Sequence, residues 1–180
     1  MRILIIAIGR SGGYQLNEWL SIEMGYKMIH EPIRNNLSIN EDNIVVKYNI
    51  DEIENINDIN ITKWDKIIGL IRNDTYDTAI SQWFGLQKNE WRKKYEVNDE
   101  WIQENQTHID FFQELTIKKI ELIKQIKEIE LLVTYEGIYN TKEDVKRIKD
   151  YVGISNTKYE HLLDNINRLR NRDKTKRKLL

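Results

Sequence analysis

The sequence predicts an α/β fold in three layers, with a parallel sheet flanked by helices on both faces. Apolar runs such as residues 2–8 and 66–72 are short and continuous, which is typical of strands buried on both faces. Helical patterns separate these runs, and strands that alternate with helices indicate crossover connections and a parallel sheet. The 180 residues predict one domain over 1–180, of which 165–180 form a basic C-terminal tail.

The strands and the first helix follow from the spacing of apolar residues. The first helix begins near Gly13, because Leu16, Trp19 and Leu20 fall on one helical face. Gly25 predicts the end of this helix. The remaining strands are predicted from short apolar runs at residues 26–32, 43–50, 66–72 and 130–135.

Helical patterns fill the later intervals of the chain. We predict helices at residues 75–87, 99–127, 141–153 and 159–172. In the third of these, Thr141 is a candidate N-cap with Asp144 three residues on, and Gly153 lies just past the end. The polar, Asn-rich stretch 51–65 is predicted to be a connector with at most one helical turn.

Charge and composition disfavour several classes of function. The net charge is −1, which gives no overall field for nucleic acid or an anionic membrane. The chain has no cysteine, which excludes a disulfide framework and thiolate metal sites. No apolar stretch reaches membrane-spanning length, and His30, His108 and His161 are too scattered to predict a metal site. We expect a cytoplasmic protein with no nucleic-acid or membrane partner.

Glycines and one arginine follow the first predicted strand. The segment "GRSGGY", Gly9 to Tyr14, joins that strand to a helix, and such a loop directs several backbone N–H groups at one point. The helix start adds about half a positive charge, and Arg10 adds a full one. The pattern favours a phosphate or sulfate site, with an ordinary tight turn as the alternative. It fits neither the Walker motif nor the dinucleotide motif G-x-G-x-x-G.

A second anion-binding pattern follows the strand at 66–72. Arg72 ends this strand and Ser81 lies on the next helix, so a guanidinium and a hydroxyl are available to a phosphate. A magnesium-dependent kinase usually has an acid at such a strand end. The alternatives are a surface ion pair of Arg72 with Asp74 or Asp77 and a plain helix-surface hydroxyl at Ser81. Two anion holders at one edge of the sheet predict a ligand with phosphate groups at both ends.

Three segments in order resemble one enzyme family. "GRSGGYQL", "RNDTYDTAISQWFGLQKNEW" and "LLVTYEGIYNTKEDVKRIKDYVGI" are similar to the motifs of sulfotransferases that use 3′-phosphoadenosine 5′-phosphosulfate (PAPS). The closest resemblance is to the bacterial carbohydrate type, which includes the trehalose sulfotransferases, and it covers about residues 2–155. It implies a P-loop sulfotransferase-like fold and transfer of a sulfuryl group to a hydroxyl of a small-molecule or carbohydrate acceptor.

The resemblance also implies roles for particular residues. The loop would hold the 5′-phosphosulfate of PAPS, or the 5′-phosphate of the product 3′,5′-adenosine bisphosphate (PAP), with Arg10 on the bridging oxygen. The residues of this group are Gly9, Arg10, Ser11, Gly12, Gly13 and Tyr14. Arg72 and Ser81 would hold the 3′-phosphate, and Arg170 and Arg172 would add a further nucleotide contact. Glu31 would be the catalytic base, with His30 beside it as the alternative.

The sequence departs from the family pattern in the loop. Gly13 and Tyr14 stand where the family usually has Ser or Thr, and Glu136 is not followed by the usual Asp. These departures keep two alternatives open, a catalytically degenerate PAPS- or PAP-binding protein and, less favoured, a P-loop nucleotide kinase. A homodimer is compatible with the sequence.

Several other side chains have two interpretations. Lys47 either faces the site or ends a buried run, and Tyr135 and Glu136 are interpreted as structural residues that fix a loop. Three tryptophans either line a sugar site or pack helices, and we favour packing; they are Trp83, Trp91 and Trp101.

Overall fold

The structure is a computed structural model that describes residues 1–32, 39, 41–53, 59–89 and 97–164. Five parallel strands of this part form one sheet in the order β2-β3-β1-β4-β5. The strands are β1 (Arg2–Ala7), β2 (Lys27–His30), β3 (Ile44–Asn49), β4 (Lys66–Ile71) and β5 (Leu131–Thr134). The helices are α1 (Gly13–Met24), α2 (Thr75–Lys88), α3 (Asp99–Glu104), α4 (Gln106–Gln125), α5 (Tyr135–Tyr139) and α6 (Glu143–Val152). Short 3₁₀ turns lie at Ile50–Glu52, Ile61–Lys63 and Glu160–Leu163.

The central strand β1 is buried on both faces. Ile3 and Ile5 point to a core shared with α1, α5 and α6, and Leu4 and Ile6 point to a second core shared with α4. All four side chains have 0% exposure, because helices cover the sheet from both sides. This arrangement confirms the predicted α/β class with a parallel sheet between two helical layers.

The single helix predicted over 99–127 is wrong. Two helices, α3 and α4, meet at Asn105, whose Oδ1 accepts from Trp83 Nε1 at 2.7 Å and Gln87 Nε2 at 3.0 Å. Its Nδ2 donates to the Trp101 carbonyl at 2.8 Å. A buried amide that bonds to a neighbouring helix and to local backbone competes with a continuous helical ladder.

The predicted N-cap at Thr141 is also wrong. Helix α6 begins at Glu143 after Lys142, which has a φ of 66° and makes no side-chain cap hydrogen bond. Asp144 Oδ2 instead accepts from Thr134 N at 2.8 Å, so this carboxylate holds the end of β5. The predicted stop at Gly153 is confirmed, with a φ of 81°.

Some predictions fall partly or wholly outside the described residues. The C-terminal helix predicted over 159–172 has only the 3₁₀ turn Glu160–Leu163 within the described part. The tail at 165–180 and Trp91 lie outside it. Among the helices that the structure does describe, none combines the length and apolarity needed to span a membrane.

Candidate functional site

The loop after β1 presents bare backbone at the start of α1. Arg10 and Gly12 have positive φ angles of 65° and 79°, and Ser11 is buried with its Oγ donating to the Ile8 carbonyl at 2.7 Å. A Cβ at Gly12 would lie 2.4 Å from the Tyr139 ring, so only glycine fits there. The first turn of α1 has no acidic residue, which leaves its partial positive charge uncompensated.

Arg10 connects this loop to α2 and to the end of β4. Arg10 Nε donates to Ser81 Oγ at 2.6 Å, and Arg72 Nη1 donates to the Arg10 carbonyl at 3.3 Å. Gln82 Nε2 donates to the Gly9 carbonyl at 3.4 Å. The structure therefore brings the loop, Arg72 and Ser81 together at the carboxyl edge of the sheet.

Arg72 is almost completely buried, with 1% exposure. Its Nη2 pairs with Asp77 Oδ2, and its guanidinium lies 4.8 Å from the centre of the Tyr135 ring. The ion pair considered from the sequence does form with Asp77, but in the interior rather than on the surface. Within the described part of the chain, the buried Arg72 Nε has no hydrogen-bond partner. A buried donor without an acceptor is costly, and an anionic oxygen would satisfy it.

A second polar cluster lies where β2 and β3 end. Glu31 Oε1 accepts from Lys47 Nζ at 2.7 Å and from Asn49 Nδ2 at 2.5 Å, and it lies 3.2 Å from His30 Nε2. The hydrogen bond from His30, together with the Lys47 ammonium, holds the pKa of Glu31 well below its usual range, although burial opposes this shift. The two predicted base candidates therefore lie together, and the carboxylate is held ionised.

Lys47 joins this cluster to the loop. The residue is 4% exposed, and a Cβ at Gly13 would lie 3.1 Å from Lys47 Cε and 3.1 Å from Ala7 Cβ. A serine or threonine at position 13 would need Lys47 to move, which explains the glycine in physical terms. Lys47 thus faces the site, the first of the two interpretations drawn from the sequence.

Tyr14 lies at the rim beside His30. Its side chain is exposed, and the two rings meet edge to face with 5.0 Å between their centres. Both aromatic side chains border the same edge of the sheet as the loop.

Helix α5 supports the site and was not predicted. Glu136 accepts the backbone N–H groups of Asn73 and Asp74, each at 3.1 Å, and the Tyr139 hydroxyl donates to the Gly12 carbonyl at 2.7 Å. The only sequence signal was a tyrosine and a glutamate directly after a strand. Their structural interpretation agrees with these contacts.

The tryptophans in the described residues are packing residues. Trp83 stacks on His108 with 4.1 Å between the ring centres and donates to Asn105. Trp101 meets Phe84 edge to face at 5.9 Å. Arg170 and Arg172, which were predicted to contact the nucleotide, lie outside the described part. No group of three or more His, Asp or Glu side chains suited to a metal ion occurs in the portion of the chain that the structure describes.

We compared the chain with known protein families, curated proteins and solved structures. No protein-family model and no curated protein matches the chain. The solved structure of mouse sulfotransferase SULT7A1 complexed with PAP matches with a TM-score of 0.54 and 19% sequence identity. The chain has the sulfotransferase fold. The match covers 93% of this chain, which spans 63% of the mouse chain.

Proposed function

We propose that this chain binds PAPS, transfers its sulfuryl group to a hydroxyl of a small-molecule or carbohydrate acceptor, and releases PAP. One observation carries the proposal. In a sulfotransferase fold, two basic residues from separate segments meet at one edge, because Arg72 donates to the Arg10 carbonyl and Arg10 donates to Ser81. Ligands of open parallel sheets bind at this edge.

The residues present fit a nucleotide with two anionic ends. The bare loop at Gly12 and the start of α1 suit the 5′ group, since they offer backbone donors and partial positive charge. Arg72 suits the 3′-phosphate, because its buried Nε finds no acceptor among the described residues and a phosphate oxygen would supply one.

Each of these residues has a place in the proposed chemistry. PAPS supplies the activated sulfuryl group. Arg10 and the first amides of α1 would stabilise the negative charge that develops on the leaving phosphate. The methylene groups of Lys47 pack against Gly13, and its ammonium is paired with Glu31 at 2.7 Å, so Lys47 supports the shape of the loop. Arg72 and Ser81 would hold the 3′-phosphate and so fix the position of the nucleotide. The chain thus contributes positioning and charge rather than a covalent nucleophile.

The acceptor hydroxyl must lose a proton during transfer. A carboxylate whose pKa is held low is a weak base, and Glu31 is in that state. We propose that Glu31 and His30 take this proton as a pair, because His30 Nε2 lies 3.2 Å from Glu31 Oε1 and the other ring nitrogen, Nδ1, is buried. The cluster thus combines an oriented imidazole with a carboxylate, as general bases often require.

A nucleotide-binding protein without turnover is the second candidate. The observation in its favour is the tight set of bonds around Glu31, which is engaged by His30, Lys47 and Asn49. A P-loop kinase is disfavoured, because Arg72 stands where an acid would hold magnesium.

Two measurements test the proposal. Thermal shift with PAP is compared with thermal shift in ATP plus magnesium, and we expect only PAP to stabilise the chain strongly. Transfer of radioactive sulfate from PAPS to a panel of glycans and small hydroxyl compounds then separates enzyme from binder. Stabilisation by ATP alone would refute the sulfotransferase proposal, and tight PAP binding with no transfer would favour the second candidate.

A further inference from the structure

Helix α5 contacts both of the segments proposed to bind anions. It starts directly after β5 and ends at Tyr139, which has 0% exposure. Its first residue, Tyr135, lies against Arg72, and its last residue contacts the loop at Gly12. The two tyrosine rings touch each other with 4.7 Å between their centres. A five-residue helix therefore bridges the two ends of the candidate site.

Tyr139 fixes the peptide that opens α1. Its hydroxyl donates to the Gly12 carbonyl at 2.7 Å, and Leu16 N donates to the same carbonyl at 3.1 Å. Burial raises the pKa of Tyr139 well above its usual value, so the phenol keeps its proton and remains a donor. The ring also fills the space that a Cβ at Gly12 would take.

Because the peptide bond is planar, the hydrogen bond from Tyr139 to the Gly12 carbonyl also sets the direction of the Gly13 N–H. In a trans peptide the C=O and the following N–H point in opposite directions. Because Tyr139 holds the Gly12 carbonyl, the N–H of Gly13 points away from the Tyr139 hydroxyl. The same reasoning applies to the peptide between Arg10 and Ser11, since Arg72 donates to the Arg10 carbonyl. Two loop peptides are thus oriented by side chains outside the loop.

The other end of α5 fixes the turn after β4. Glu136 accepts two successive backbone N–H groups, from Asn73 and Asp74. Thr134 Oγ1 caps α5 by accepting from Gly137 N at 2.8 Å, and Asp144 accepts from Thr134. The position of α5 is therefore itself fixed by hydrogen bonds to β5 and α6.

From these contacts we propose that α5 is the element that sets both ends of the nucleotide site, with Tyr139 as the positioning residue for the anion-binding loop. The inference deepens and rests on the proposed function in naming PAP as the ligand. Tyr139 touches the loop from behind, through the Gly12 carbonyl, and acts on the ligand only through the amides that it orients.

The test compares two conservative variants of the full chain. Tyr139→Phe removes the hydroxyl that bonds to Gly12. Tyr151→Phe is the matched control, because the Tyr151 hydroxyl also bonds to backbone, accepting from Ile67 N at 3.1 Å near the start of β4. Hydrogen exchange of the loop amides is measured for both variants, together with the dissociation constants of PAP and adenosine 5′-monophosphate.

In Tyr139→Phe one hydrogen bond is lost, and we expect the loop amides to exchange about five-fold faster and the nucleotides to bind about five-fold more weakly. The affinities for both nucleotides fall by the same factor, because both nucleotides carry the 5′-phosphate. Tyr151→Phe changes neither the exchange of the loop amides nor the affinities. Loop exchange and affinity in Tyr139→Phe that match those of Tyr151→Phe would overturn the inference. If the wild-type chain binds neither nucleotide, the proposed function fails, and faster loop exchange in Tyr139→Phe alone still supports the positioning role.

Discussion

At the scale of single residues, the Arg72–Asp77 pair would link the stability of the fold to the proposed nucleotide binding. The pair is buried, and removing one partner leaves the other charge uncompensated in the interior. We expect Asp77→Asn to lower the free energy of unfolding by about 3 kcal/mol. The phosphate of PAP would then supply the missing negative charge, so PAP raises the Tm more in this variant than in the wild type.

Urea unfolding with and without PAP measures both effects. Glu41→Gln is the control, because its ion pair with Lys27 is exposed and we expect a change of at most about 0.5 kcal/mol. Equal stability of the two variants would mean that the Arg72–Asp77 pair contributes nothing to the fold.

Glu31 makes the stability of the fold depend on pH. Its pKa is depressed in the folded chain, mainly by the His30 hydrogen bond and also by Lys47, from an ordinary value of 4.5. The stabilisation is complete above pH 4.5, and it decreases as the pH falls, because the unfolded chain then binds a proton that the folded chain does not. We expect Glu31→Gln to be less stable than wild type at neutral pH and to approach it in acid.

Urea unfolding of both proteins over a range of pH checks this expectation. Glu121→Gln is the control, since its pair with Lys124 is exposed and we expect its stability to differ little from that of the wild type. A constant difference between Glu31→Gln and wild type at every pH would contradict the argument.

The sequence predicted some contacts of the candidate site and missed others for a physical reason. The sequence predicted that Arg10, Arg72 and Ser81 lie close together, and the structure brings them together. Arg10 and Arg72 follow strands, Ser81 lies on the helix after β4, and the carboxyl ends of parallel strands share one edge. The contact of Lys47 with Gly13 could not be predicted, since it depends on β3 lying beside β1 in one particular register. The contact of Tyr139 with Gly12 joins residues 127 positions apart, and local patterns carry no information at that range.

At the scale of elements, the start of α1 depends on Gly12. Gly12 and Gly25 both have positive φ angles, 79° and 64°, so a Cβ strains the backbone at each. We expect Gly25→Ala to lose about 1 kcal/mol of stability and to keep its PAP affinity, because nothing lies within 4 Å of its added Cβ. Gly12→Ala adds a collision with the Tyr139 ring, and we expect at least about ten-fold weaker PAP binding.

Thermal unfolding measures the stability lost to backbone strain in both variants. Calorimetric titration with PAP measures the affinity lost when the Cβ at position 12 collides with the Tyr139 ring. Equal PAP affinity in Gly12→Ala and Gly25→Ala would show that the shape of the loop start does not matter for binding.

Element boundaries were predicted well where burial defines them and poorly where hydrogen bonds do. The strands agree within one or two residues. The inner strands β1, β3 and β4 are short runs buried on both faces, whereas the edge strands β2 and β5 are only partly buried. The break between α3 and α4 was missed, since Ile102, Ile109 and Phe112 continue one apolar face across it. The side chain of Asn105 makes the break through partners on α2, which the local pattern does not contain.

At the scale of the whole molecule, strand order determines which loops meet. The alternation of strands and helices predicted the fold class, but it does not specify that β1 lies between β3 and β4. That order places the loop after β1 beside the end of β4 and brings Arg10 to Arg72. A crevice at such a reversal of strand order is where open α/β sheets bind ligands.

The same geometry predicts how much each of the two proposed anion sites contributes to the affinity for a nucleotide. PAP carries a 3′-phosphate that adenosine 5′-monophosphate lacks, and a charge-assisted contact with Arg72 contributes about 1.5–3 kcal/mol. We therefore expect PAP to bind about 10- to 100-fold more tightly than the monophosphate. In Arg72→Lys the planar donor fork is lost, so this preference shrinks, and affinity for the monophosphate falls by a smaller factor through the lost bond to the Arg10 carbonyl. Lys88→Ala, at the far end of α2, leaves both affinities unchanged. If Arg72→Lys instead weakened both nucleotides equally, Arg72 would act through the fold and not on the 3′-phosphate.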